Sequence, residues 1–123
     1  MEKLKVSVIV PAKNSERTIG KCLKSIFNQK YAPLEVIVVD ARSNDRTRSI
    51  AKKHGATVFI EPYHKESAPG IGRNHGAKSA EGDIFAFLDS DCYPEKSWLN
   101  QVVDVFKNPK VGIFSIIVSD GTG

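Results

Sequence analysis

The chain has 123 residues, of which 41% are hydrophobic and 26% charged, and its formal net charge is +4. This length suffices for one domain built around a single core, and no apolar run approaches the roughly 20 residues of a membrane helix. The 18 Lys and Arg residues are scattered with few aromatics among them, which argues against nucleic-acid binding. The start of the chain lacks a signal-peptide pattern, so we expect a cytoplasmic protein, with any membrane association arising from a part that follows this chain.

Strand-like and helix-like segments alternate along the chain. Runs rich in apolar and β-branched residues predict strands over 6–10, 35–39, 57–60, 84–88 and 111–118. The first predicted helix has Asn14 or Ser15 as N-cap and carries the stripe Ile19, Cys22, Leu23, Ile26 and Phe27. The second runs from Asn44 or Asp45 to His54, the third from about Gly70 to Ala80, and the fourth has Pro94 at its first position and the stripe Trp98, Leu99, Val102, Val103 and Phe106.

This alternation predicts a single domain over residues 1–123, with a mainly parallel sheet between two layers of helices, a three-layer α/β/α sandwich. In such sheets, ligands bind beyond the carboxyl ends of the strands, where the strand order reverses. The side chains that follow strands one, two and four are therefore the first candidates for a site. Carboxylates follow two of these strands, and we expect them at the same edge of the sheet.

The strongest candidate follows the apolar fourth strand, in residues 87–91 (FLDSD). Asp89 and Asp91 place two like charges at the end of a buried strand, which is unfavourable unless a cation joins them. Oxygen ligands of this kind suit Mg²⁺ or Mn²⁺, which usually share their coordination with substrate phosphates. The alternative is an acidic turn in which Asp91 caps the following helix.

Two further residues are candidates for ligand contacts. Asp40 ends the second strand, where its carboxylate can accept hydrogen bonds from a nucleobase or ribose, or instead from backbone N–H groups in the turn to the second helix. Arg73 is predicted at the start of the third helix, where the helix dipole favours phosphate and a guanidinium adds bidentate contacts. The alternative for Arg73 is a surface ion pair. The glycines around it, at 70, 72 and 76, match neither a dinucleotide-binding nor a P-loop pattern.

Five motifs of this chain together resemble those of family-2 glycosyltransferases with the GT-A fold, in the order and spacing of that family. They cover nearly the whole chain, and only their combination is specific. The segments are 6–14 (VSVIVPAKN), the opening strand; 25–29 (SIFNQ), similar to S-I-x-x-Q; 35–47 (EVIVVDARSNDRT), similar to E-I-I-V-V-D-D-G-S-x-D-x-T; 72–83 (GRNHGAKSAEGD), similar to R-N-x-G…A-x-G-(D/E); and 88–91 (LDSD), similar to the D-x-D motif.

The resemblance implies transfer of a sugar, with inversion, from a UDP- or GDP-sugar bound with Mn²⁺ or Mg²⁺ to an unknown acceptor hydroxyl. It implies that Asp40 contacts the nucleoside, Arg73 lies near the base or diphosphate, Asp89 contacts ribose or metal, and Asp91 ligates the ion. The full predicted nucleotide-sugar-binding set is Pro11, Ala12, Asn14, Asp40, Arg73, Asp89 and Ser90, and the predicted metal ligands are Asp89 and Asp91. The general base and acceptor site of the family lie beyond the matched portion, so we expect the chain to be a truncated GT-A domain without its base.

The sequence departs from the family pattern at three positions near the predicted nucleotide. Ala41 and Arg42 replace the acidic and glycine residues that usually follow the first Asp, and Lys13 stands where an aromatic residue that can cover the base is common. Because of these departures, the motifs do not predict which nucleobase the sugar donor carries.

Other classes of protein share parts of this pattern. A haloacid-dehalogenase-like phosphatase would use Asp89 as its nucleophile, but its motif normally follows the first core strand. A response-regulator receiver needs acids after strand one, and a sugar nucleotidylyltransferase needs a glycine-rich basic loop there; this chain has Pro11, Ala12 and Lys13 instead. A non-catalytic module that binds sugar nucleotides or a partner protein is the remaining alternative.

Overall fold

The structure, a computed structural model, describes residues 3–62 and 76–107. Seven elements carry the described fold, and residues 76–79 form one further helical turn. The predicted fifth strand, most of the predicted third helix and Arg73 lie outside the described residues. The strands are β1 (Val6–Ala12), β2 (Glu35–Asp40), β3 (Thr57–Ile60) and β4 (Ile84–Phe87), and the helices are α1 (Ile19–Phe27), α2 (Thr47–Lys53) and α3 (Trp98–Phe106).

The four described strands form one parallel sheet in the order β3-β2-β1-β4. The register pairs Ala12 with Asp40 across β1 and β2, and Ile9 with Phe87 across β1 and β4. β2 and β3 therefore lie successively on one side of β1, and β4 lies on the other side of β1. This reversal of strand order lies between β1 and β4, so their carboxyl ends define the expected ligand-binding edge.

The two faces of the sheet are covered by different elements, which confirms the three-layer prediction. Alternate residues of β1, including Val8 and Val10, pack with Leu23 of α1, Ala51 of α2 and Leu99 of α3 in one buried cluster. On the other face, Ile9, Ile37 and Val39 are buried, and Ala77 and Ala80 pack against them. The β-branched residues of β1 and β2 are thus buried on both faces, as expected for central parallel strands.

Glycines allow two close approaches on this second face. A Cβ on Gly76 would lie 2.2 Å from a methyl carbon of Ile9, so the helical turn at 76–79 packs directly on the sheet. A Cβ on Gly82 would lie 2.7 Å from the backbone nitrogen of Ser7. The N–H of Gly82 donates to the Ser7 hydroxyl at 2.8 Å, and that hydroxyl donates to Glu35 at 2.6 Å. This chain of contacts aligns the start of β4 beside β1.

The helix starts differ from the sequence predictions. Neither Asn14 nor Ser15 is the N-cap of α1, which begins later, after Thr18. Pro94 is not the first residue of α3 either, because the chain remains non-helical until Trp98. In both cases the loop between strand and helix is longer than predicted, and before α1 the added residues, 15–18, line the cleft described below. No helix in the described parts of the chain has the length and apolar character of a membrane span.

Candidate functional site

A cleft of about 740 Å³ opens along the carboxyl edge of the sheet. It extends from Glu61, which follows β3, past Ala41 after β2 and the loop at 11–18 after β1, to residues 89–91 after β4. Its position at the reversal of strand order is the one predicted from the sequence. Six of the predicted site residues line it: Pro11, Ala12, Asn14, Asp89, Ser90 and Asp91.

Asp89 and Asp91 lie together at one end of this cleft. Their carboxylates are exposed, and one ligand atom from each of Asp89, Asp91 and Cys92 lies within 4.8 Å of the others. The Cys92 thiol is 3.8 Å from a carboxylate oxygen of Asp91. Two carboxylates open to solvent and to one another fit a hard divalent cation, which binds few protein oxygens and keeps waters or phosphates.

The loop after β1 is fixed to the acidic end of the cleft and to the loop after β2. The hydroxyls of Ser15 and Ser90 are 2.8 Å apart, which links the β1 loop to the segment between the two aspartates. The N–H of Asn14 donates to the Ser43 hydroxyl at 2.8 Å, and the side-chain oxygen of Asn14 accepts from the N–H of Asn44, also at 2.8 Å. The cleft wall is therefore a connected set of loops.

Asp40 lies beneath this wall, and its side chain is fully buried. One carboxylate oxygen accepts from the Arg48 guanidinium at 2.8 Å and from the N–H of Ser43 at 2.9 Å. The other accepts from the Ser43 hydroxyl at 2.5 Å. In this arrangement Asp40 holds the turn to α2, which is the structural alternative raised by the sequence. Its contact with a nucleoside stays a prediction.

Two residues of the wall have left-handed backbone conformations. Asn14 has a φ of 47° and Arg42 a φ of 58°. Asparagine tolerates this region, whereas for arginine it is unfavourable. Arg42 stands where the related motif has glycine, and its positive φ gives the physical reason for glycine at that position. Such strained residues persist where the surrounding contacts determine the backbone.

Gln29 makes long-range contacts that the sequence motif did not reveal. It is buried after α1, and its amide nitrogen donates to the carbonyl of Glu95 at 2.6 Å and to that of Ser25 at 3.1 Å. Its amide oxygen accepts from the N–H of Leu99 at 2.9 Å. Gln29 therefore supplies a cap to the first turn of α3 and fixes the segment that follows Asp91. The available sequence signal was this glutamine itself, the last residue of segment 25–29, because nothing in the neighbouring sequence predicts its burial.

Burial and nearby negative groups determine the chemistry of Cys22. Its thiol is buried on α1 and lies 3.6 Å from the carbonyl oxygen of Asp89. Burial, followed by the charges of Cys92, Asp91 and Asp89, raises the pKa of the Cys22 thiol to about 12. A thiol with such a pKa stays protonated and unreactive at neutral pH. Cys22 is a core residue beneath the acidic end of the cleft, as its place on the apolar stripe indicated.

Glu61 was not selected from the sequence, although it is the acidic residue that follows β3. It lines the cleft with only 3% of its surface exposed. Its backbone N–H donates to the carbonyl of Asp40 at 2.8 Å. Its Oε1 atom is buried, and within the described parts of the chain it has no hydrogen-bond partner. Its place directly after the third predicted strand was the sequence feature that could have identified it as a candidate.

The parallel sheet with its reversed strand order and its acidic cleft is that of the GT-A glycosyltransferase fold, as solved structures show. The Pyrobaculum calidifontis mannosyltransferase PcManGT, in complex with GDP-Man and Mn²⁺, superposes with a TM-score of 0.80 at 30% identity, over 90% of this chain and 34% of its own. Staphylococcus aureus TarS superposes with a TM-score of 0.75 at 35% identity, over 85% of this chain and 20% of its own.

Sequence comparison identifies the family. Residues 7–122 match the profile of glycosyl transferase family 2, and the chain belongs to that family. The glycosyltransferase AglE of Haloferax volcanii is 36% identical over 115 residues, which cover 88% of this chain and 37% of AglE. The chain thus spans little more than a third of this curated relative. Membership of this family removes the phosphatase, receiver and nucleotidylyltransferase alternatives.

Proposed function

We propose that the protein to which this chain belongs transfers a sugar from a nucleoside-diphosphate sugar, bound with Mn²⁺ or Mg²⁺, to an acceptor hydroxyl. The observation that carries this proposal is the pair of exposed carboxylates, Asp89 and Asp91, whose oxygens lie within 4.8 Å of each other in the cleft. A divalent cation offsets the charge of two adjacent carboxylates and can share its remaining coordination with a diphosphate.

The solved relatives support this choice of ligands. PcManGT was solved with GDP-Man and Mn²⁺. Glucosyl-3-phosphoglycerate synthase from Mycobacterium tuberculosis, 28% identical with a TM-score of 0.70 over 87% of this chain and 41% of its own, was solved with Mn²⁺ and UDP. Both proteins superpose on this chain, which supports the same class of ligand for its cleft.

We assign the residues of this chain to binding and orientation. Asp89 and Asp91 would hold the cation, and a bound cation would supply positive charge to offset the charge that develops on the departing diphosphate. Pro11, Ala12, Asn14 and Ser90 line the cleft where the nucleotide would lie. Asp40 and Arg73 remain predicted contacts to the nucleoside and diphosphate, and Asp40 also secures the loop that shapes the cleft.

The transfer itself needs groups that we do not assign to this chain. An acceptor hydroxyl attacks the anomeric carbon from the face opposite the diphosphate, which inverts the configuration, and a carboxylate base accepts its proton. We propose that this base lies in another part of the protein. Cys22 and Cys92 are not joined in a disulfide, which suits the proposed reducing, cytoplasmic location. If this part of the proposal fails and only binding remains, the chain is a sugar-nucleotide-binding module.

Thermal unfolding of the chain with GDP or UDP, with and without Mn²⁺, tests the proposal. A nucleoside diphosphate at about 100 times its dissociation constant stabilises the folded state by about 2.7 kcal/mol, which raises Tm by roughly 10 °C. We expect this shift with Mn²⁺ and a marked reduction without it. The variant Asp91→Asn should lose the Mn²⁺-dependent part.

Asp104→Asn is the matched control, because Asp104 is an exposed residue of α3 that pairs only loosely with Lys107, at 3.7 Å. This variant should keep the full Mn²⁺-dependent shift. A shift of the same size in Asp91→Asn as in the unmodified chain, or one that does not depend on Mn²⁺, would contradict the proposal.

A further inference from the structure

Glu61 has an incomplete hydrogen-bonding environment at one end of the cleft. The residue is 3% exposed, and its Oε1 atom, in the parts of the chain that the structure describes, accepts no hydrogen bond. A carboxylate oxygen without a donor is costly in a buried position, because it has lost its contact with water and gained nothing in return. As an ionised carboxylate, Glu61 can only accept hydrogen bonds. A ligand that brings N–H or O–H donors would satisfy it.

The position of Glu61 determines which part of a nucleotide could reach it. Glu61 follows β3 and Asp89 follows β4, and the sheet order places three strand spacings between these strands. At about 4.8 Å per spacing, the two ends of the cleft are about 14 Å apart. If the diphosphate lies beside Asp89 and Asp91, the nucleoside extends toward Glu61, and the base is the part of the nucleotide that lies farthest from the diphosphate.

The neighbouring acid does not offer the same opportunity. Both oxygens of Asp40 already accept hydrogen bonds from Ser43 and Arg48. Glu61 is adjacent to Asp40 across the sheet edge, through the bond from its N–H to the Asp40 carbonyl. Of these two acids, only Glu61 lines the cleft, and its Oε1 atom accepts no hydrogen bond from the described residues.

We propose that Glu61 selects the base of the donor nucleotide and that it favours guanine. This inference rests on the proposed function, because it assumes that a nucleoside diphosphate occupies the cleft. Guanine presents two adjacent donors, the ring N1–H and the exocyclic N2 amine, which match the acceptor oxygens of a carboxylate. Uracil presents a single N3–H between two carbonyl oxygens, and these oxygens repel a carboxylate. The geometry therefore favours a GDP-sugar over a UDP-sugar.

Affinities for three diphosphates, measured by calorimetry with Mn²⁺ present, test this inference. GDP and IDP differ only by the exocyclic amine of guanine, and UDP supplies the competing base. We expect the chain to bind GDP about tenfold or more tightly than IDP or UDP, the size of effect expected for one hydrogen bond to a charged group. In Glu61→Gln the preference for GDP over IDP should fall by about tenfold, because the amide has one acceptor and one donor in place of two acceptors.

Glu81→Gln is the matched control. It makes the same change of charge at an exposed residue that precedes β4, on the edge of the sheet opposite the cleft, and should leave all three affinities unchanged. Thermal unfolding without ligand adds an independent measurement. Because Oε1 of this buried side chain accepts no hydrogen bond from the described residues, the Tm of Glu61→Gln should equal or exceed that of the unmodified chain.

The outcomes separate this inference from the function on which it rests. Mn²⁺-dependent binding with equal affinities for GDP and IDP, with a preference for UDP, or with a preference for GDP that survives in Glu61→Gln, overturns the role of Glu61 and leaves the proposed function intact. A large fall in the Tm of ligand-free Glu61→Gln shows that Glu61 already has a partner within the chain, and also overturns it. If none of the three diphosphates binds, the proposed function fails as well.

Discussion

The amide oxygen of Gln29 accepts a hydrogen bond from the backbone N–H of Leu99 at 2.9 Å, across 70 residues of sequence. The same side chain donates to the carbonyl of Glu95. Through these two bonds the end of α1 fixes both sides of the turn that leads from the acidic loop into α3. The position of Asp91 in the cleft therefore depends on a residue that does not line it.

Replacing Gln29 with alanine should destabilise the fold and weaken cation binding together. The change removes three hydrogen bonds and leaves the buried N–H of Leu99 without its acceptor, which costs about 1 to 3 kcal/mol. Urea unfolding measures this loss, and Mn²⁺ titration at a temperature where the variant is folded measures the second effect. Gln101→Ala, at an exposed site on α3, should change neither quantity. Unaltered Mn²⁺ affinity in folded Gln29→Ala would contradict the positioning role.

Arg48 should contribute measurably to stability through Asp40. Its guanidinium is 2.8 Å from the Asp40 carboxylate and 3.0 Å from the carbonyl of Ser43. Arg48→Met leaves a buried carboxylate without its cation, and because Arg48 is itself partly exposed we expect a loss of about 2 kcal/mol rather than the full cost of breaking a buried pair. Urea unfolding of this variant provides the measurement.

A matched comparison for Arg48 exists just before the same helix. Arg46 is 85% exposed and lies 3.9 Å from Glu16, so Arg46→Met should change the free energy of unfolding by less than about 0.5 kcal/mol. Equal losses in the free energy of unfolding of the two variants would contradict a stabilising role for the Arg48–Asp40 pair.

Cys22 should make the stability of the chain depend on alkaline pH. Burial raises the folded pKa of its thiol from 9.0 to about 12, so an unfolded chain loses this proton at lower pH than the folded chain does. The contribution is fully present below pH 9 and is lost as pH rises from 9 toward about 12. Unfolding of Cys22→Ala measured across this range should show a shallower decline than that of the unmodified chain.

Alkylation gives a second measurement of the same property. At pH 8, iodoacetamide should modify Cys92 in the folded chain and leave Cys22 unmodified until urea is added, because only a minute fraction of Cys22 is ionised. Peptide mass spectrometry identifies the labelled site. Labelling of Cys22 in the folded chain at a rate similar to that of Cys92 would contradict the shift in pKa.

Most of the described fold follows from local patterns. The β-branched runs of β1 and β2 and the apolar stripes of α1 and α3 predicted these elements closely, and β3 has the predicted bounds, Thr57–Ile60. Helix starts were less predictable. Asn14 has the side chain of an N-cap, yet it bonds to the loop after β2 rather than to α1. At Asn14, contacts with a segment distant in sequence override the local preference of asparagine for an N-cap position.

The position of Asp89 and Asp91 at the sheet edge was more predictable from sequence than the surroundings of Asp40 and Glu61. Asp89 and Asp91 follow an apolar strand, and a strand end fixes where such side chains emerge. The burial of Asp40 depends instead on Arg48, eight residues later on a separate helix, and the environment of Glu61 depends on its place beyond β3. Neither relationship has a signature in the local sequence, because both arise only when the strands are assembled.

The left-handed backbone of Arg42 has a consequence for ligand affinity. The loop that contains it is already fixed by hydrogen bonds between Asn14, Ser43 and Asn44. The free-energy cost of this conformation and of ordering the backbone is therefore part of folding rather than of nucleotide binding. The cleft wall is preorganised, and a donor that enters it need not order this loop at the expense of its own binding energy.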